Sequence, residues 1–140
     1  MLTIDEARAR LAERAAPLPY AEVSVTRIYA FANQKGGVGK TTTTVNLGAY
    51  LADAGRSVLI IDADPQANAT SSLGIDATGL EYSIYDALIG RASLADVIMS
   101  TALARLDLAP SAPALAGAEV EMVSMMAREH LMRKMLNGVA

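Results

Sequence analysis

Apolar residues in this chain occur in two forms, short continuous runs and longer stretches with helical spacing. Arg27 to Ala32 and Ser57 to Ile61 are continuous runs, too short for helices and rich in β-branched or aromatic residues. They predict buried strands. Leu106 to Ala109 predicts a third, closed by a turn containing Pro110 and Pro113. Between the runs lie helical stretches. Lys40 to Ala54 predicts a helix with Gly55 as its C-terminal stop. Ile84 to Ile89 and Leu94 to Met99 predict short helices, with a Gly- and Ser-containing loop over 71–81. Ala116 to Leu136 predicts a longer helix ending at Asn137-Gly138. Strands alternating with helices predict an α/β fold, a parallel doubly wound sheet with helices on both faces.

The first 25 residues stand apart. Leu2 to Ala16 reads as an amphipathic helix opened by Thr3 and Glu6 as a capping box and ended by Pro17 and Pro19. It reads as a helix packed on its own domain or partly frayed, or as a partner or dimer contact. The division is therefore an N-terminal helix and linker over 1–25 and an α/β unit over 26–140.

The turn between the first strand and the first long helix carries the chemistry. It reads Lys35-Gly36-Gly37-Val38-Gly39-Lys40-Thr41-Thr42. A strand, a glycine-rich turn and a helix N-terminus in that order make a phosphate-binding loop of the P-loop NTPase type. The helix start leaves backbone N–H groups without partners, and its dipole adds partial positive charge. Gly36, Gly37 and Gly39 let the backbone approach the anion. Lys40 supplies an ammonium to the β- and γ-phosphates, and the Thr41 hydroxyl can ligate a bridging Mg²⁺. Thr42 adds its N–H and hydroxyl. Lys35 reads as a second loop lysine.

The second predicted strand ends in Asp62-Ala63-Asp64-Pro65-Gln66-Ala67-Asn68-Ala69-Thr70. Carboxylates at the carboxyl end of a strand lie where open α/β sheets bind ligands. An acid there can orient an attacking water, which phosphoryl transfer to water requires.

These two motifs resemble those of the ParA/Soj partition ATPases, within the wider ParA/MinD group. The loop departs from G-x-x-x-x-G-K-[ST] at Gln34, and the stretch Asn33 to Thr43 is similar to the deviant Walker A motif of that family. The resemblance implies that Lys35 reaches across a dimer interface to the partner's ATP. By position in the family's D-x-D-P-Q-G-N, Asp64 matches the residue that holds the hydrolytic water. Asp62 matches a carboxylate acting indirectly near the Mg²⁺. Ala67 replaces the usual glycine, which predicts a modest backbone effect. The resemblance implies catalytic roles for Lys35, Lys40 and Asp64, with residues 35–42 binding nucleotide. It implies Mg²⁺-dependent ATP hydrolysis in chromosome or plasmid partition, a homodimer formed on ATP, a ParB-like centromere-binding partner and non-specific DNA binding. Two other readings stand beside it: a hydrolysis-deficient nucleotide-binding module, and a MinD-like membrane-associated ATPase, which Asn33-Gln34 and Asp64-Pro65-Gln66 disfavour.

Composition narrows little further. The chain has 140 residues, no cysteine and a net charge of −3. Disulfides and thiolate metal sites are excluded. The acidic balance is a poor footprint for nucleic acid, so DNA binding rests on the resemblance. No apolar run reaches the roughly 18 residues that span a membrane, and the expectation is a cytoplasmic, nucleoid-associated protein without a membrane partner. His130 has no acidic or Cys partner arranged for a metal and reads as a helix-surface or packed residue. The methionines at 122, 125, 126, 132 and 135 read as core or as an adaptable surface. The family's Walker B strand has no match before Ala140. A fold of this type needs roughly 200 to 250 residues. The expectation is thus an N-terminal fragment or truncated product with an uncovered apolar sheet edge and poor solubility.

Overall fold

The computed structural model describes residues 27–117 and 130–137. The predicted helix over 2–16 and most of the helix over 116–136 lie outside the described residues. The described parts of the latter helix are a first turn over 115–117 and Leu131–Asn137, with His130 exposed just before the second.

The elements run α1 (Lys40–Asp53), β1 (Val58–Ile61), α2 (Asn68–Ser72), α3 (Ile84–Leu88), α4 (Leu94–Val97), β2 (Met99–Ser100), β3 (Leu106–Ala109) and α5 (Leu131–Asn137). The sheet has the order β1-β3-β2. β1 pairs with β3 in parallel, Val58 opposite Leu106 through Ile61 opposite Ala109. β2 adds a short antiparallel pair, Met99 opposite Leu108.

Alternation along the parallel pair explains the layers, because successive side chains point to opposite faces. On one face Ile60, Leu106 and Leu108 pack with Ala52 of α1 and Ala69 of α2. On the other, Ala109 and the half-buried Ile61 join Ile84, Tyr85 and Ala87 of α3, Leu94 and Val97 of α4, Leu115 and Met135. Helices therefore cover both faces, as the α/β reading expects. Met135 belongs to the core and Met132 is exposed, so the described part of the methionine face divides between the two readings.

Local chemistry sets the helix ends. α1 ends at Ala54. Gly55 at φ 84° donates to the Ala52 carbonyl, and Arg56 donates to that of Leu51. This paired closure satisfies two carbonyls left over at a helix C-terminus, and the left-handed residue it needs is the predicted glycine. α4 opens with a reciprocal cap. Ser93 Oγ accepts from the Asp96 N–H at 3.2 Å, and Asp96 Oδ2 accepts from the Ser93 N–H at 2.9 Å. The Ser93 hydroxyl and then its N–H hold the Asp96 carboxyl below its ordinary value.

Three expectations need correction. The helix predicted over Leu94 to Met99 ends at Val97, and Met99 opens β2. Arg27 to Ala32, predicted as the first strand, is in no regular element, and Ile28 is 67% exposed. Apolar character makes a segment fit for a sheet, but a strand forms only beside a partner, and none of the described strands pairs with it. The sheet is also mixed, since β2 is antiparallel. Its two residues are too short for any alternation to reveal.

Candidate functional site

The phosphate loop is built on the open start of α1. Gly37 and Gly39 take φ of 70° and 83°, left-handed values that side chains with a Cβ rarely adopt. Gly39 caps α1 with no side chain on the helix N-terminus. The Thr43 N–H reaches the Gly39 carbonyl at 2.9 Å. The N–H groups of Lys40, Thr41 and Thr42 precede the first helical acceptor and have none within the helix. An uncapped terminus of a 14-residue helix thus faces outward with its partial positive charge.

The loop around it is exposed from Asn33 to Gly39. The Asn33 carboxamide oxygen accepts from the Lys35 N–H at 2.9 Å and fixes the turn that enters the loop. Lys40 Nζ donates to the Lys35 carbonyl at 3.1 Å, folding its ammonium back over the loop. An open hollow lies here, lined by Phe31, Ala32, Asn33, Val38, Gly39, Lys40 and Thr43. Among the described residues nothing lies within 4 Å of where a Cβ would stand on Gly36 or Gly37, so they leave the outer side of the loop open. Thr41 is half-buried and Thr42 exposed. Thr43 was not singled out from the sequence. It lies four residues after Gly39, one turn along the same helix face, and that spacing is the signal for it.

The second motif is more constrained. Asp62 continues the β1 ladder by donating its N–H to the Ala109 carbonyl at 3.0 Å. Its side chain is 5% exposed, and three donors meet it. Oδ1 accepts from the Asp64 N–H at 3.2 Å, and Oδ2 accepts from the Thr70 N–H at 2.9 Å and the Thr70 hydroxyl at 2.7 Å. That satisfies a carboxylate which burial would otherwise penalise. Asp64 is half-buried, and its Oδ1 accepts from the Gln66 N–H at 3.0 Å. Ala67 caps α2 at φ 51°, the left-handed position where the motif usually carries glycine.

α1 packs on both β1 and α2, which puts the segment joining β1 to α2 beside the helix that carries Lys40. Residues 35–42 form one continuous loop and helix start. Asp62 and Asp64 form a second cluster and do not line the hollow. Among the described residues no group of three or more His, Cys, Asp or Glu side chains is placed to hold a metal. A Mg²⁺ here would draw its ligands from nucleotide phosphates, water and the Thr41 hydroxyl, which fits an ion that keeps much of its hydration.

Comparison with known proteins bears on both clusters. The AAA domain family profile matches residues 26–140. The sporulation initiation inhibitor protein Soj of Bacillus subtilis is 50% identical over 113 residues, covering 81% of this chain and 45% of that protein. The chromosome partitioning protein ParA of Caulobacter vibrioides is 45% identical over 81% of this chain and 42% of its own length. Among solved structures, cobyrinic acid a,c-diamide synthase from Mycobacterium smegmatis with bound ATP analog and magnesium superposes with a TM-score of 0.73. It is 40% identical over 76% of this chain and 43% of its own. The chain thus spans less than half the length of the curated relatives it matches.

Proposed function

Because the chain belongs to the ParA/Soj type of AAA-domain ATPase, we propose that it forms the nucleotide-binding part of a Mg²⁺-dependent ATPase of chromosome or plasmid partition. The observation that carries this reading is the uncapped α1 N-terminus, with Lys40 beside it and an open hollow in front. Free N–H groups, a helix dipole and an ammonium together suit a polyphosphate. The greater identity to Soj than to the diamide synthase, 50% against 40%, supports partition over amide synthesis.

In this reading the backbone of residues 36–42 cradles the phosphates. Lys40 leaves the Lys35 carbonyl and turns to the β- and γ-phosphates. The Thr41 hydroxyl would hold a Mg²⁺, which would offset charge developing on the phosphates, and Asp62 would act on it only indirectly, through the loop that it closes. Asp64 orients the attacking water. Lys35, exposed on the loop, reaches the nucleotide of a second copy, so that ATP promotes a homodimer. A ParB-like centromere-binding protein and non-specific DNA complete the partition system. That role places the protein in the cytoplasm, on the nucleoid. Among the described residues no helix is long and apolar enough to cross a membrane.

Nucleotide binding and sedimentation together test the loop assignments in the intact protein. Lys40→Ala is expected to lose ATP binding. Lys35→Ala is expected to bind ATP and remain monomeric with it. ATP affinity unchanged in Lys40→Ala contradicts the phosphate loop. ATP-dependent dimers of Lys35→Ala contradict the shared site.

A further inference from the structure

Thr70 ends the second sequence segment, where it was given no role, yet its side chain joins that segment to β3. It is 0% exposed on α2. Its hydroxyl and its N–H both donate to Asp62 Oδ2, at 2.7 and 2.9 Å. The same hydroxyl oxygen accepts from the Ser111 N–H at 3.0 Å, just beyond β3. A hydroxyl has one proton to give and two lone pairs to offer. The carboxylate takes the proton and the amide takes a lone pair, so the direction of both bonds is fixed. Three places in the fold meet at this one oxygen: the end of β1, the start of α2 and the end of β3.

Asp62 extends the tie to the other end of the loop, since its Oδ1 accepts from the Asp64 N–H at 3.2 Å. The segment over 62–70 is therefore closed on itself through one buried carboxylate, with Asp64 held two residues from the knot. We propose that Thr70 is a positioning residue for ATP hydrolysis: by locking the Asp62 carboxylate to the ends of β1 and β3, it fixes where Asp64 holds water. This rests on the ATPase reading above. It also gives Asp62 its task, as the strut of the loop. Burying a carboxylate and a hydroxyl in this way is costly unless every bond is made, so the arrangement is rigid where it is complete.

Steady-state ATP kinetics on three variants of the intact protein test this. Thr70→Val keeps the shape and removes the hydroxyl. It is expected to lower kcat at least tenfold with KM for ATP within about twofold, since displacement of a catalytic group by about 1 Å costs on the order of a hundredfold. Thr70→Ser keeps the hydroxyl and is expected to restore kcat. Ser111→Ala is expected to match wild type, because Ser111 contributes its backbone N–H and its Oγ has no partner among the described residues. If Thr70→Val fails to fold, Thr70→Cys, a weak donor and acceptor, replaces it with the same expectation.

Wild-type kcat in Thr70→Val, or a parallel loss of kcat and ATP affinity, overturns the proposal. Amide hydrogen exchange at Asp64 and Gln66 reads the same positioning without turnover. Faster exchange is expected in Thr70→Val and not in Thr70→Ser, and equal exchange in both overturns it. A wild-type protein that shows this exchange pattern yet hydrolyses no ATP refutes the ATPase reading and leaves the loop lock standing.

Discussion

At Ala67 the backbone turns through φ 51° with a methyl group attached and buried. The left-handed conformation costs a residue with a Cβ about 1 to 2 kcal/mol. Glycine would remove that cost, but it loses more backbone entropy on folding, about 0.5 to 1 kcal/mol, and a buried methyl, about 0.8 kcal/mol. The terms nearly cancel, so alanine where the motif usually has glycine is a modest change. A β-branched side chain is another matter, because positive φ makes it a steric outlier and the site is packed. Ala67→Val is expected to destabilise by about 2 to 4 kcal/mol, while Ala67→Gly stays within about 1 kcal/mol of wild type, by denaturant unfolding. A Val variant as stable as wild type contradicts the backbone assigned here. The left-handed turn at Gly37 and Gly39 and the helix start at Lys40 were legible in the sequence because the whole device is local, a turn and the helix that follows it. Thr70 and Ser111 were not, because their contact joins residues 41 apart in the chain, and neither carries a local signal.

Gly48 decides how closely α1 lies on the sheet. A Cβ on it would stand 2.8 Å from Ile60 Cδ1 and 3.4 Å from Leu106 Cδ1. Alanine gains helix propensity of about 1 kcal/mol at this position, which offsets part of the crowding. Leucine cannot fit without moving the helix off β1 and β3, and overpacking of this kind costs about 1 to 3 kcal/mol. Gly48→Leu is expected to lower the thermal midpoint, and to weaken ATP binding with it, because α1 carries Lys40. A Leu variant with an unchanged midpoint would mean that the helix does not pack this closely. The long first helix, β1 and β3 were all readable from periodicity and from Gly55. The segment over 27–32 misled for a physical reason: its composition suits a sheet, but pairing is a tertiary event and leaves no mark in the run itself. β2 was invisible because two residues make no pattern.

At the scale of the molecule, the described residues form one parallel strand pair between two apolar clusters, and both chemical clusters belong to segments that meet α1. The α/β class and both motifs could be read from alternation and spacing. The mixed sheet and the closure of 62–70 could not, since both depend on how distant segments come together. The division of labour between the two clusters is the central claim: the first binds phosphate, and the second positions water. Uncoupling them is the most direct test. The measurement is the steady-state Mg²⁺-dependent hydrolysis rate of the intact Asp64→Ala protein at an ATP concentration shown to saturate it. The expected result is ATP affinity near wild type with the rate reduced at least a hundredfold, the scale on which a positioned acid–base group acts. A rate near wild type at saturating ATP would contradict the account.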